Sequence, residues 1–241
     1  MKSYLPIFLL ILGVLVVAIA GFSIFNLRSK DTTPSTDEVV VPTIPLPYVA
    51  LTPDGVGQEL TLSVTGIDSA VATLDYELVY NTAAGVLQGV PGSVSVSGKS
   101  SLERKLTLGT CSSGVCRYDK GVKDITLTLR LRNSSGKVLA KVATGVSLLS
   151  KTKKLASTDD KFSLTLDKTP TGFYVVMQTS GLPSESSGTV VAGPYGVFTS
   201  GSSSQRGKIT TVGIWQVWDG NKWQVLSDGA TKTLGVFVAT Q

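Results

Sequence analysis

Three tryptophans, two cysteines and no histidine bound the chemistry open to this chain of 241 residues. Without histidine there is no Ser-His-Asp or Cys-His nucleophile and no histidine-containing zinc site. Trp215, Trp218 and Trp223 are gathered around Asp219-Gly220-Asn221, a turn between two apolar runs that reads as a β-hairpin. Strand alternation places Trp218 with Ile214 and Gln216 on one face, and Trp215 with Val217 on the other. The two faces of one strand cannot both enter the same core, so at least one tryptophan is expected to stay partly open. Flat aromatic faces flanked by Gln216, Asp219, Asn221 and Gln224 suit stacking against sugar rings. Trp215, Trp218, Trp223, Gln216 and Asn221 are therefore the candidate binding residues, with core or inter-module packing of the rings as the competing expectation.

The remaining chemical motifs are weaker. Cys111 and Cys116 enclose Ser112-Ser113-Gly114-Val115 and are expected to form a disulfide that closes a tight turn and pins it locally. Their spacing is not that of a C-x-x-C redox pair. Asp159 and Asp160 are adjacent, point to opposite faces of an extended chain, and match no calcium loop, so a solvated loop is expected. Ser150 to Lys153 spells S-x-x-K, without the helix and the K-T-G that penicillin-binding enzymes need. Gly193-Pro194-Tyr195-Gly196 reads as a turn. Glycoside hydrolysis needs two facing carboxylates, and the acids here are sparse in the loops. The expectation is a non-catalytic chain with no cofactor and no metal.

Charge excludes a further class. Lys2, Arg28 and Lys30 flank an apolar stretch near the N-terminus; without those three of the 22 basic residues, 19 remain against 17 acids. A nucleic-acid binder is expected to carry a clustered basic stripe, and along the sequence none is evident.

The elements that must position these residues begin with a membrane address. Tyr4 to Phe25 is almost unbroken apolar sequence, long enough as a helix to span roughly 33 Å. Pro6 falls in its first turn, where the missing N–H costs little. Residues 1–30 are thus expected to form a transmembrane anchor, with the N-terminus cytoplasmic and the remainder extracytoplasmic. The alternative is a signal peptide cleaved after Ala20, at Ala18-Ile19-Ala20, which would give a secreted protein. No cysteine near this segment fits a lipidated anchor. Gly21-Phe22-Ser23 resembles the processing site of type IV pilins, but the apolar helix here precedes that site and no glutamate appears before Glu38.

Residues 31–47 contain Pro34, Pro42, Pro45 and Pro47 and read as an extended spacer, with a reach of about 50 Å. From Tyr48 onward the pattern is that of strands. Leu60, Leu62 and Val64 alternate with Thr61, Ser63 and Thr65; Leu74, Tyr76, Leu78 and Tyr80 alternate with acids; Ile125, Leu127, Leu129 and Leu131 alternate with Thr and Arg. Asn133-Ser134-Ser135-Gly136 then turns into Val138, Ala140 and Val142. About seven strands in roughly 100 residues, from Tyr48 to about Leu148, resemble an immunoglobulin-like or fibronectin type III-like sandwich in architecture, without the Cys…Trp…Cys signature. Further strand runs (Phe162 to Leu166, Phe173 to Met177, Val190 to Ala192, the tryptophan hairpin, and Leu234 to Ala239) predict a second sandwich over residues 150–241. The expected fold is all-β: two sandwich modules in tandem, 48–149 and 150–241, after a single transmembrane helix.

This organisation points to a surface binding or adhesion module, contacting the membrane through residues 4–25 and a surface polysaccharide or envelope protein through its body. The alternative is a structural subunit of an envelope layer or appendage.

Overall fold

Alternation of a bulky apolar residue with Thr, Ser or a charged residue becomes β-strand wherever it was found. The structure, a computed structural model, describes residues 41–241. Strands β1 (Tyr48–Pro53), β2 (Glu59–Thr65), β3 (Thr73–Asn81), β4 (Leu87–Ser95), β5 (Ser101–Thr107), β6 (Gly109–Ser112), β7 (Val115–Tyr118), β8 (Lys123–Arg132) and β9 (Val138–Ser150) come first. They are followed by β10 (Lys154–Ala156), β11 (Ser163–Leu166), β12 (Phe173–Gln178), β13 (Val190–Phe198), β14 (Gly207–Ile209), β15 (Ile214–Trp218), β16 (Trp223–Val225), β17 (Ala230–Thr231) and β18 (Val236–Thr240). The helical component is a single 3-10 turn, Ser227–Gly229, among the described residues. The chain is all-β there, as expected.

No helix among the described residues is long and apolar enough to cross a membrane. The predicted anchor, residues 1–30, and most of the predicted spacer lie outside the described residues. The end of that spacer is docked rather than free. Thr43 donates its N–H to Leu139 O at 3.0 Å, Ile44 packs on the core, and the Ser180 hydroxyl donates to Pro47 O at 2.6 Å.

One nine-stranded antiparallel sheet runs through the body in the order β16-β15-β18-β13-β12-β9-β8-β3-β4. A three-stranded sheet, β1-β2-β5, and a four-stranded sheet, β10-β11-β14-β17, cover it, and β6-β7 form a separate hairpin. There are two cores. The first gathers Leu60, Leu62 and Val64 of β2 with Leu74 and Leu78 of β3 and the inward residues of β8; the second gathers Phe162, Leu164, Tyr195, Trp215 and Phe237. Strand β12 alternates between them: Val175 and Met177 belong to the first, Tyr174 and Val176 to the second. Successive side chains of a strand point to opposite faces, so the two cores lie on opposite sides of the shared sheet.

The expected boundary at 149/150 falls inside β9. That strand pairs with β8 through Val138 to Val146, and with β12 through Val146 to Ser150; Val146 faces both Ile125 and Met177. The two segments therefore share a strand and have no linker between them, and Val40–Gln241 cluster as one compact unit. At 13 residues β9 is long enough to serve one sheet half with each end. Two strands contradict the local sequence pattern. β4 contains Pro91 and two glycines yet pairs along its whole length with β3; it is the edge strand, where a missing N–H costs no ladder bond. The expected turn at Gly193-Pro194 lies inside β13, at an irregularity in its pairing with β18, with a cis Gly193–Pro194 bond. Gly193 sits at φ 95°, and a Cβ there would come within 2.8 Å of Phe237 O, so glycine suits this close approach.

Candidate functional site at the tryptophan hairpin

The hairpin β15–β16 forms as read, with Trp218 opposite Trp223 and Gln216 opposite Val225. Its turn is organised by Asp219, whose Oδ1 accepts the backbone N–H groups of Asn221 at 2.8 Å and Lys222 at 2.9 Å, while Oδ2 accepts the Gln224 side chain. Those Lys222 and Asn221 N–H bonds, ahead of the Gln224 bond, hold the Asp219 carboxyl below its usual range. Asn221 thus contributes a backbone contact to the turn and leaves its side chain on the exposed tip.

The three tryptophans divide. Trp215 is 1% exposed, meets Phe162 edge-on at 5.5 Å, and donates its indole N–H to Thr211 O at 3.0 Å. It is a core residue, satisfied at both its apolar and its polar end. Gln216, on the opposite face, is only 3% exposed because residues 184–187 lie over it. Its amide donates to Ser187 O at 2.8 Å and to Thr240 Oγ1 at 2.9 Å, and its carbonyl accepts the Ser187 hydroxyl at 3.0 Å. Neither residue is free to meet a ligand.

Trp218 and Trp223 remain half-buried on that same outer face, with ring centroids 5.6 Å apart and planes tilted by 55°. Trp223 donates to Ser184 O at 3.3 Å, so the covering segment and the hairpin brace each other. Beside Trp218 lies an open concavity of about 270 Å³, lined among others by Tyr48, Phe198, Pro183, Thr199 and Asp219. Tyr48 opens β1 and Phe198 closes β13; β1 lies against both β12 and β13, which brings the two rings to the hairpin. The clamp at Pro47 fixes this approach, since Gly181 stands at φ 41° with Leu46 O only 2.5 Å from where its Cβ would be. Burial pushes the Tyr48 hydroxyl up to about 12, and it has no hydrogen-bond partner among the described residues. Tyr48 and Phe198 were not legible as site residues: Tyr48 only opens the strand pattern and Phe198 follows a predicted turn, and only the pairing of distant strands places them beside Trp218.

The other motifs resolve into structure. Cys111 and Cys116 form a disulfide and are a cross-strand pair in the β6–β7 hairpin. Asp159 accepts the Ser157 hydroxyl at 2.5 Å, the Lys161 N–H at 3.1 Å and the Tyr195 hydroxyl at 2.9 Å. Partial burial raises its carboxyl, but these three bonds outweigh that and hold it below the usual range. Asp159 and Asp160 both lie exposed in a turn, as expected, and Asp159 in addition ties that turn to Tyr195 of the second core. Ser150 ends a strand and Lys153 donates to Asp167 O at 2.8 Å, so the S-x-x-K spacing brings no nucleophile and base together. Among the described residues no group of three or more acids or cysteines is placed to hold a metal ion.

Compared with known proteins, the chain matches no family model, no curated protein and no solved structure.

Proposed function

We propose that the chain is a membrane-anchored, extracytoplasmic and non-catalytic binding module, and that the concavity at Trp218 contacts a polysaccharide. The observation that carries this reading is the convergence of Trp218, Tyr48 and Phe198, from three separate strands, on one open concavity edged by hydroxyl and carboxylate groups. Rings of this kind offer flat apolar faces to the C–H side of a sugar, while the Tyr48 hydroxyl, without a hydrogen-bond partner among the described residues, stands at the same concavity for its hydroxyl groups. The apolar segment 4–25 supports anchoring, and the disulfide supports an oxidising compartment.

The first sandwich is read as immunoglobulin-like or fibronectin type III-like. Its support is the strand order: β1-β2-β5 on one side, β4-β3-β8-β9 on the other, all antiparallel. The second sandwich is read as a related module fused to it through β9.

Tryptophan fluorescence of the full chain in neutral detergent, with iodide quenching, tests the site. Soluble glucans, chitin oligomers and peptidoglycan fragments are added in turn. Protection of the quenchable fraction by one of them, abolished in Trp218→Ala, is expected. If none protects it, and the protein instead assembles into ordered arrays, the structural-subunit alternative replaces this reading.

A further inference from the structure

The four-stranded covering sheet has an outer face built differently from the rest of the surface. Across it, one row of the pleat reads Lys154, Thr165, Lys208, Ala230 on β10, β11, β14 and β17, all exposed and in register. Lys154 and Lys208 are thus two strand spacings apart, about 10 Å. Exposed Lys168, Arg206 and Lys232 lie at the strand ends, and Lys153 is held against Asp167 O. Among the described residues none of Lys154, Lys168, Arg206, Lys208 and Lys232 forms a salt bridge. The carboxylates beside this face, Asp167 and Asp228, make no ion pair with them either. A surface that only needed solubility would intersperse both signs, as the first sandwich does.

We propose that this face binds a carboxylated polysaccharide, at a second site separate from the concavity at Trp218. The two lie on opposite sides of the second core, since Trp218 points away from the face of β15 that Trp215 and Val217 bury. Neighbouring cations closer than or near a Debye length add their fields, and an extended polyanion can answer several of them at once. The chemistry favours carboxylates: both central cations are lysines, compact point charges, whereas planar, bidentate phosphate recognition favours arginine, which occurs only at the flank. The row carries no aromatic ring for a nucleic-acid base to stack on, and no large apolar residue to enter a lipid interface.

The test is fluorescence anisotropy of labelled polygalacturonate with the full chain in neutral detergent, with dextran as the uncharged control. Binding of polygalacturonate is expected to weaken about tenfold between about 50 mM and about 300 mM salt, whereas any binding of dextran, which the concavity at Trp218 could take, should not respond to salt or to the lysine variants. Lys154→Gln with Lys208→Gln should weaken it by about tenfold, and Lys99→Gln with Lys137→Gln, cations of the first sandwich, by less than about twofold. Trp218→Ala should leave it unchanged, which separates this site from the concavity. Absence of polygalacturonate binding overturns the proposal, as does equal loss in both lysine pairs. Tighter binding to single-stranded DNA or to phosphatidylglycerol vesicles than to polygalacturonate also overturns it, assigning the face to those partners.

Discussion

The two cores share β9 and fill their interiors by opposite means. The first is aliphatic: Leu60, Leu62, Leu74, Leu78, Leu127 and Leu129 interdigitate, with Tyr80 as its one fully buried aromatic. The second is aromatic: Phe162 lies 5.2 Å from Tyr195, 5.3 Å from Phe237 and 5.5 Å from Trp215, ring centroid to ring centroid. Strand length explains the difference. Over the first core the covering strands β1, β2 and β5 have 6, 7 and 7 residues, so each supplies several inward positions for aliphatic side chains. In the second, β10, β11, β14 and β17 have 3, 4, 3 and 2 residues, and offer one or two inward positions apiece. A native-density interior with so few contributors needs large rings.

Their surfaces differ as well. The salt bridges among the described residues, Lys105–Glu59 at 3.7 Å, Arg130–Glu77 at 3.8 Å and Arg132–Asp75 at 2.7 Å, all lie on strands around the first core. Around the second core, acids such as Asp159 and Asp219 are spent on turns, and Lys154 and Lys208 form no salt bridge among the described residues.

The largest effect is expected from Phe162→Ala, which removes the ring that Tyr195, Trp215 and Phe237 all touch and should cost about 3–5 kcal/mol. Leu62→Ala in the first core should cost about 2–5 kcal/mol. Because β9 and β12 serve both cores, the two losses should lower one common transition in denaturant. Tryptophan emission reports the β15–β16 hairpin and the second core, and far-ultraviolet circular dichroism reports the whole sheet; separated midpoints would show that the cores unfold independently.

Next is Gln216→Leu. It leaves Ser187 O and Thr240 Oγ1 without their donor, for a loss of about 1–3 kcal/mol in the same denaturant titration. A loss below about 0.5 kcal/mol would mean that the 184–187 segment reseats itself and that its cover of the hairpin is adaptable.

Arg132→Ala tests the charge contrast, at about 1 kcal/mol. Partial burial raises the Asp75 carboxyl, but hydrogen bonds from Arg132 and Ser93, with the charges of Arg132 and Arg130, bring it below its ordinary value. A lowered folded pKa stabilises the protein above the unfolded value, about 4, and that contribution is lost as pH falls through the folded one. The acid limb of stability below about pH 4 should therefore shrink in Arg132→Ala and persist in Lys208→Ala, by thermal melts at stepped pH.

The smallest effect on stability is expected from Trp218→Ala, under about 1 kcal/mol, since that ring is only half-buried and carries no hydrogen bond among the described residues. A larger loss in a thermal melt would place Trp218 with Trp215 as a packing residue and weaken the binding reading.

Strand identity was written into the chain wherever side chains alternate over several residues, as from Ile125 to Leu131 or Leu60 to Val64. That period is local: it depends only on which face of an extended backbone each residue points to. The hairpin turn at Asp219 to Asn221 was equally legible, as was the division of Trp215 from Trp218 between two faces. What covers each face was not. Gln216 looked like a ligand contact and is sealed by Ser187; Tyr48 and Phe198 carried no site signal and stand beside Trp218. Lys154 and Lys208 are 54 positions apart along the chain, and only the pairing through Thr165 sets them in one row. β9 likewise reads as the end of one module, and its second edge is claimed by β12 only when the chain closes. By itself the sequence determined which segments are strands and which way their side chains point. Partner, register and cover were decided by tertiary structure, because they are set by long-range contacts competing to bury the same apolar faces and satisfy the same backbone groups.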